Sequence, residues 1–277
     1  MDQAGVCWSR QVLCAAVTAA LLGLSGCGYQ VYERRLEETR KYFSYLEKLD
    51  ANLGPAYRDG SIEELRPPLG FRFVPPPAPV KNELGELEEP VVDPRQPNYL
   101  LIEFPGLIAT WEAVFDIMTG EGRERRPGYL YALSNAALLN TDPELAADFT
   151  RSVLIQLADA LRIPQLDPAS AVPEEYPRAK TYTVPNRFEV YRFPADQIFI
   201  DNVQHTVEVY AHRQNEVQFL LVLILPAGID SNVRLSERIP LMLERLKVSP
   251  KRQAPKRAGS AASGPAAPVA PPPTTGF

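Results

Sequence analysis

The chain has 277 residues, a formal net charge of −5 at pH 7 and a composition that is 45% hydrophobic and 23% charged. This length suits one large domain or two small ones and is sufficient to bury a core. The acidic balance argues against a nucleic-acid-binding protein, which would present a basic surface, and it indicates no other class of partner.

An uncharged apolar run from Val12 to Leu24 lies near the N-terminus and is followed directly by Ser25, Gly26 and Cys27. Its length of about 13 residues is short of the ~20 that cross a bilayer as a helix, and it is typical of a signal-peptide core. The small residues Ser25 and Gly26 let an extended backbone enter a peptidase groove. The thiol of Cys27 is the nucleophile that a lipid transferase would alkylate.

The sequence Leu24-Ser25-Gly26-Cys27 resembles the lipobox of bacterial lipoproteins. That resemblance implies that residues 1–26 are a signal peptide removed before Cys27, whose thiol then carries a diacylglyceryl group. It also implies further acylation, such as palmitate, and attachment to a membrane of the cell envelope on its extracytoplasmic side. The flanking charges are only Arg10, the α-amino group and an opposing Asp2. Ordinary signal cleavage or a wrongly assigned start therefore remain alternatives.

The cysteine count agrees with this interpretation. Of the three cysteines, Cys7 and Cys14 would leave with the signal peptide and Cys27 would be lipidated. The mature chain would then have neither a free thiol nor a disulfide, although export normally permits disulfides. Its stability would depend on packing.

Residues 27–54 are predicted to form a lipid-anchored helix next to the membrane, with helical periodicity from Val31 to Leu53 and a stop at Gly54-Pro55. Its apolar stripe either packs on its own domain, which we favour, or serves as a stalk that binds another chain. Aromatic residues outside a core are common interface hot spots. The candidate partner contacts for an envelope protein are Tyr32, Tyr42, Phe43 and Tyr45.

Residues 55–98 form a proline-rich segment with a first edge strand at Leu65–Phe71, where prolines are tolerated. The acidic run from Glu83 to Glu89 is predicted to be a solvated loop. It does not match the calcium-binding loop of an EF-hand, so no metal ligand is predicted there.

Residues 99–248 are predicted to form an α+β core. Tyr99–Phe104 is expected to be a strand, and Leu107–Met118 a second strand that fits a helix nearly as well. The second strand is expected to form a hairpin with Tyr129–Leu133. The intervening loop contains Arg123, Arg125 and Arg126, which suit either a phosphate or partner contact or an exposed hairpin tip.

The clearest helix is Pro143–Ile163, with capping-box spacing between Thr141 and Glu144 and apolar residues every four positions. A loop is expected at 165–180. The segment Val217–Leu225, whose run from Phe219 to Leu225 has no polar face, predicts a central strand covered on both sides. Further strands and a last helix complete the core: Thr181–Val184, Phe188–Phe193, Ile198–Ile200, His205–His212 and, for the helix, Ile239–Leu246.

Residues 249–277 consist largely of Pro, Ala, Gly and Ser with two Pro-Lys-Arg steps. This composition cannot form a core, so a disordered basic tail is predicted. Such a tail either contacts anionic lipid, wall polymer or an acidic partner, or only increases solubility; the second interpretation is favoured.

No catalytic, cofactor-binding or metal-binding residue is predicted, because the sequence contains no recognised nucleophile, nucleotide or metal motif. Only His205 and His212 supply imidazoles, and residues seven apart on a strand point to opposite faces. Asp196, Asp201 and Glu208 lie near one another in sequence but are expected to be turn and surface carboxylates. We therefore expect a protein that is not an enzyme.

The order of elements between residues 62 and 248 resembles the PsbP-type sandwich, in which an antiparallel sheet lies between helical layers. That resemblance implies an α+β fold and a non-enzymatic domain that binds partner proteins, although fold alone does not establish function. The sequence thus predicts a non-catalytic binding or scaffolding module. Two alternatives remain open: an envelope hydrolase that uses carboxylates and a carrier of an apolar ligand.

Overall fold

The fold is known from a computed structural model. It describes residues 5–81, 87–88, 92–120, 122–163, 170–178, 182–193 and 195–249. Most of the predicted acidic loop at 83–89 and the predicted tail after Ser249 lie outside the described residues.

Five α-helices and thirteen strands are described. The helices are α1 (Gly5–Asn52), α2 (Leu138–Thr141), α3 (Pro143–Ala147), α4 (Phe149–Ala160) and α5 (Leu235–Arg245). The strands are β1 (Tyr57–Asp59), β2 (Ile62–Leu65), β3 (Arg72–Val74), β4 (Val80–Lys81), β5 (Leu87–Glu88), β6 (Leu107–Thr119), β7 (Gly122–Ser134), β8 (Val172–Tyr176), β9 (Asn186–Arg192), β10 (Phe199–Ile200), β11 (Val203–Gln214), β12 (Val217–Pro226) and β13 (Lys247–Val248).

The main sheet is antiparallel, with the order β3-β6-β7-β12-β11-β9-β8 and with β10 paired to the start of β11. Strand β12 lies in the middle, and every residue of it is buried. Phe219 and Leu221 point into one apolar cluster, whereas Leu220 and Val222 point into the other. The prediction of a central strand covered on both sides is confirmed.

Helices cover both faces of this sheet. On one face, Val153 and Leu157 of α4 share a buried cluster with β12. On the other face, Met242 of α5 and Leu49 of α1 belong to a second cluster, together with the small sheet β1-β2-β13. The predicted α+β class, with an antiparallel sheet between helices, is therefore the architecture observed.

Two predicted strands are wrong for identifiable reasons. Tyr99–Phe104 begins as a 3₁₀ turn, because Leu101 adopts a left-handed φ of 57° and the Gln96 side chain binds the backbone N–H of Phe104 at 2.8 Å. Of the predicted strand Leu65–Phe71, only Leu65 belongs to a strand, as the last residue of β2, and residues 66–71 connect β2 to β3. The two consecutive prolines of this connection have no N–H to donate to a ladder, and Gly70 turns the chain with a φ of 106°.

The predicted long helix at Pro143–Ile163 is divided into α3 and α4 at Asp148. Its first cap is Asp142, whose carboxylate accepts from the N–H of Leu145 at 3.0 Å, and not the predicted Thr141. Thr141 belongs to the preceding short helix α2.

Three further segments, at residues 107–118, 165–180 and 181–184, bear on the predicted strands and loops. Leu107–Met118 is confirmed as a strand, within β6, and it forms the predicted hairpin with β7. The expected loop at 165–180 contains β8, an edge strand with Pro173 in it. Conversely, Tyr182–Val184 is not part of a strand, and residue 181 lies outside the described residues.

Candidate functional site

The C-terminal end of helix α1 is docked on the domain. Leu49 and Leu53 are 1% and 2% exposed and pack in the cluster that contains Met242 of α5. The chain leaves the helix through backbone hydrogen bonds from Gly54 N–H to Pro67 at 2.7 Å and from Leu69 N–H to Asn52 at 2.9 Å. These contacts hold the last turns of the helix firmly in place.

A polar contact reinforces this docking. The hydroxyl of Tyr45 donates to Oε1 of Glu244 on α5 at 2.5 Å, and Thr183 donates to the same oxygen at 3.2 Å. Glu244 is only 7% exposed. Burial, followed by the neighbouring carboxylate, raises the pKa of Tyr45, so its hydroxyl keeps the proton that it donates.

The part of α1 between Tyr29 and Ser44 is exposed along its whole length. Tyr29 and Tyr32 are each 63% exposed, Phe43 is 58% exposed and Leu36 is 43% exposed. Large apolar side chains at spacings of three, four and seven form one continuous line on a helix. We call these four residues, Tyr29, Tyr32, Leu36 and Phe43, the stalk stripe.

The stalk stripe does not continue the face by which α1 docks. At 100° per residue, the stripe is centred about 120° around the helix from the docking residues Tyr45, Leu46, Leu49 and Leu53. The stalk stripe is therefore a separate face of the helix, and its exposure does not result from fraying of the docked face. The sequence favoured packing of the whole apolar face of this helix on its own domain. That prediction is confirmed for Leu46 and Leu53 and is wrong for Tyr32, Leu36 and Phe43.

The four predicted partner contacts differ in their surroundings. Tyr32 and Phe43 lie on the stalk stripe, whereas the ring of Tyr42 packs edge-on against Tyr182 with centroids 5.4 Å apart. Tyr45 is half-buried and anchors the helix. Sequence reasoning missed Tyr29, although its spacing of three from Tyr32 was a usable signal. Cys27 lies on α1, two residues before Tyr29.

The two histidines occupy opposite faces of β11, as predicted. His205 is 5% exposed, and its Nδ1 lies 2.8 Å from the carbonyl oxygen of Val203. Burial lowers its pKa, so the imidazole is neutral at pH 7. The ring of His212 packs against Phe188, and its Nδ1 lies 2.9 Å from the carbonyl oxygen of Arg187. Both rings are thus part of the structure of the sheet.

The carboxylates of β8 and β11 form ion pairs. Arg192 bridges Glu174 at 2.7 Å and Glu208 at 3.1 Å. Burial alone would raise the pKa of Glu174, but hydrogen bonds from Tyr176 and Arg192 outweigh it, and the pKa is lower than usual. Glu174 is therefore ionised at neutral pH, which does not suit a general acid.

The other carboxylates that the sequence placed nearby are in turns. Asp196 lies in the 3₁₀ turn Ala195–Gln197, and Asp201 lies in the turn between β10 and β11 with a left-handed φ of 49°. The arginines of the β6–β7 hairpin are engaged locally: Arg126 binds Glu124 at 2.8 Å, and Arg125 lies 3.9 Å from Asp116. Their surroundings agree with an exposed hairpin tip.

An open groove of about 460 Å³ lies between the start of α4 and strands β8, β9 and β11. Charged side chains of both signs line it, among them Arg151, Arg187 and Glu189. A much smaller cavity of about 50 Å³ adjoins His205, Tyr99 and Tyr129. The groove is open to solvent and therefore differs from the closed apolar cavity of a carrier.

Within the described residues, no three or more His, Cys, Asp or Glu side chains are grouped so as to hold a metal ion. In the same part of the chain, no helix has both the length and the apolar character needed to cross a membrane. Comparison with protein-family models, curated proteins and solved structures finds no match to this chain. The function must therefore be argued from the residues themselves.

Proposed function

We propose that this chain is a lipid-anchored protein of the cell envelope, held on the extracytoplasmic side through Cys27, and that it acts as a non-catalytic binding or scaffolding module. The sequence Leu24-Ser25-Gly26-Cys27 at the end of an uncharged apolar run supports the anchor. The exposed aromatic residues on the adjoining helix support the binding role.

The observation that carries this proposal is the way α1 leaves the domain. The helix is unbroken between Cys27 and the docked residue Tyr45, a stretch that spans about 27 Å at 1.5 Å per residue. A lipid on Cys27 would therefore tether the domain by a rigid stalk and not by a flexible linker. The same stalk presents the stalk stripe next to the membrane surface, where an envelope partner is accessible.

The surroundings of the ionisable groups support a non-catalytic role. Both histidine rings contact backbone carbonyls, and Glu174 and Glu208 are paired with Arg192. A general acid or base needs a pKa near the working pH and access to a substrate. The pKa values of His205 and Glu174 are both lowered, which moves each of them away from neutral pH.

A PsbP-like sandwich is the finer fold that we propose. It is supported by the antiparallel sheet between α4 and α5 and by the order of elements, with helices α2, α3 and α4 between β7 and β8 and helix α5 after β12. By analogy alone, that fold suits a domain that binds partner proteins.

The lipid anchor is tested by substituting Cys27 with serine in the full chain. The wild-type protein should incorporate labelled palmitate and fractionate with membranes, and Cys27→Ser should lose the label and remain unprocessed. Cys14→Ser is the matched control, because it removes another N-terminal thiol outside the lipobox and should behave as wild type. A mature N-terminus found by mass spectrometry to be unmodified and downstream of Cys27 would refute the anchor.

A further inference from the structure

The stalk stripe follows a heptad pattern. One core position of the heptad is occupied by Tyr29, Leu36 and Phe43. The other core position is occupied by Tyr32 and, one heptad later, by Thr39. Thr39 suits this position, because its hydroxyl already donates to the carbonyl of Arg35 at 2.7 Å. The helix therefore has a seam about two heptads long that faces solvent.

Charged residues border this seam. Glu33 and Arg40 occupy equivalent positions on one side, one heptad apart, and Arg35 lies on the other side. Charges at such positions set the partner, the orientation and the register of paired helices. The charges of Glu33, Arg35 and Arg40 therefore indicate which helix can pair with this seam, and in which orientation.

We propose that the stalk stripe binds the stalk stripe of a second copy of this chain, with the two helices antiparallel. In the register that pairs Tyr32 with Phe43 of the second copy, Leu36 meets Thr39 of that copy. Glu33 then lies beside Arg40 of the second copy, and the two-fold symmetry repeats each of these contacts. Both charge pairs are attractive. Two Tyr32–Phe43 layers enclose two Leu36–Thr39 layers, and Tyr29 lies opposite Leu46 at the edge of the docked turns.

Other arrangements of the two helices place like charges together. A shift of one heptad in either direction brings Glu33 beside Glu33 of the second copy, or Arg40 beside Arg40. A parallel pair brings Arg35 beside Arg40 of the second copy, twice. Like-charge contacts of this kind disfavour the wrong register and orientation. The charges therefore select the single antiparallel register.

This contact uses a face of the helix different from the docked one. Since the docking residues lie about 120° around the helix from the stripe, a second helix can approach without displacing Leu49 or Leu53. The inference rests on the proposed use of the stalk as a binding surface, but it does not depend on lipidation. An antiparallel pair along the membrane surface would keep both copies of Cys27 beside that surface.

The test measures self-association of the purified full chain in mild detergent by sedimentation velocity. Wild type should dimerise, and Phe43→Ala should weaken the dimer at least about tenfold. Arg34→Ala, on the opposite side of the helix, is the matched control and should leave the dimer unchanged. Because Phe43 is exposed, the melting temperature measured at a concentration where the chain is monomeric should stay the same in each variant.

Charge exchange tests the orientation. Arg40→Glu should weaken the dimer about tenfold, because it converts two attractive contacts into repulsive ones, and Glu33→Arg combined with Arg40→Glu should restore it. A dimer strengthened by Arg40→Glu would indicate a parallel pair and overturn the proposal. So would a wild-type chain that stays monomeric, including one whose stripe inserts into lipid vesicles. If the chain is monomeric but Cys27→Ser still releases it from membranes, the dimer proposal fails and the proposed lipid anchor stands.

Discussion

The hydroxyl of Tyr45 and the carboxylate of Glu244 are 199 residues apart in sequence and 2.5 Å apart in the structure. This contact joins the stalk helix to the last helix of the domain. Thr183 donates to the same carboxylate, so three distant segments meet at one oxygen atom. The direction in which the stalk leaves the domain is therefore fixed by a few contacts near its base.

Removing the Tyr45 hydroxyl should loosen the base of the stalk. Tyr45→Phe keeps the ring and its packing against Tyr182 but deletes a hydrogen bond to a buried carboxylate. We expect the free energy of unfolding to fall by about 1–2 kcal/mol. Hydrogen exchange should also become faster in the last turns of α1.

Tyr32→Phe is the control for this change, because Tyr32 is 63% exposed. It should leave both the unfolding free energy and the exchange pattern unchanged. Equal effects of the two substitutions would show that the Tyr45 contact does not hold the stalk.

Two leucines of α1 should differ sharply in their contribution to stability. Leu49 is 1% exposed and packs in the core, so Leu49→Ala leaves a cavity and should cost about 2–5 kcal/mol. Leu36 is 43% exposed, and Leu36→Ala should change stability by less than about 0.5 kcal/mol. Urea unfolding of both variants at low protein concentration measures the difference. A large loss in Leu36→Ala would mean that the stripe packs on its own domain after all.

This pair of leucines also shows where sequence reasoning stops. Both lie in one helix with a continuous helical pattern, and that pattern correctly predicts the helix. Whether a residue is docked depends on Met242 and Leu243, which are nearly two hundred residues away. A local pattern does not contain that information.

The same limit explains which strands were predicted. The run Val217–Leu225 has no polar face, so its central position could be read from the sequence alone. Tyr99–Phe104 is apolar except for Glu103, but it begins as a turn in which the ring of Tyr99 stacks on Tyr129 with centroids 4.7 Å apart. Apolar character predicts a buried strand in both cases, but in Tyr99–Phe104 the chain forms no strand and Leu101 is 93% exposed.

The free energy of unfolding should decrease in mild acid, because protonation of His205 is less favourable in the folded chain than in the unfolded chain. Burial lowers its pKa in the folded state from the ordinary value near 6.5. The unfolded chain therefore binds a proton at a higher pH than the folded chain does. The stability contribution is complete above about pH 6.5 and is lost progressively as the pH falls from there toward the folded pKa.

The check is urea unfolding of His205→Asn at pH 7 and pH 5. Asparagine retains a donor for the Val203 carbonyl but does not titrate, so the loss of stability between the two pH values should be smaller than in wild type. An unchanged dependence in His205→Asn would show that other groups cause the acid loss.

Gln218 should be essential for the break between α3 and α4. Its Nε2 donates to the carbonyls of Ala146 and Ala147 at 3.2 and 3.0 Å, and its Oε1 accepts from the N–H and hydroxyl of Thr150 at 3.2 and 2.7 Å. One side chain from β12 thus satisfies the end of one helix and the start of the next. Nothing near Asp148 in the sequence signals this break, because the residue that satisfies it lies on another element.

Gln218→Leu has a similar volume but makes none of these four hydrogen bonds, so it leaves backbone groups of both helices without this partner. We expect a loss of about 2–4 kcal/mol in unfolding free energy and faster hydrogen exchange at Thr150. Gln156→Leu, a half-buried position on α4, is the control and should cost less than about 0.5 kcal/mol. If Gln218→Leu were as stable as wild type, α3 and α4 would have to merge into the single helix that the sequence pattern predicts, and exchange at Thr150 would become slower.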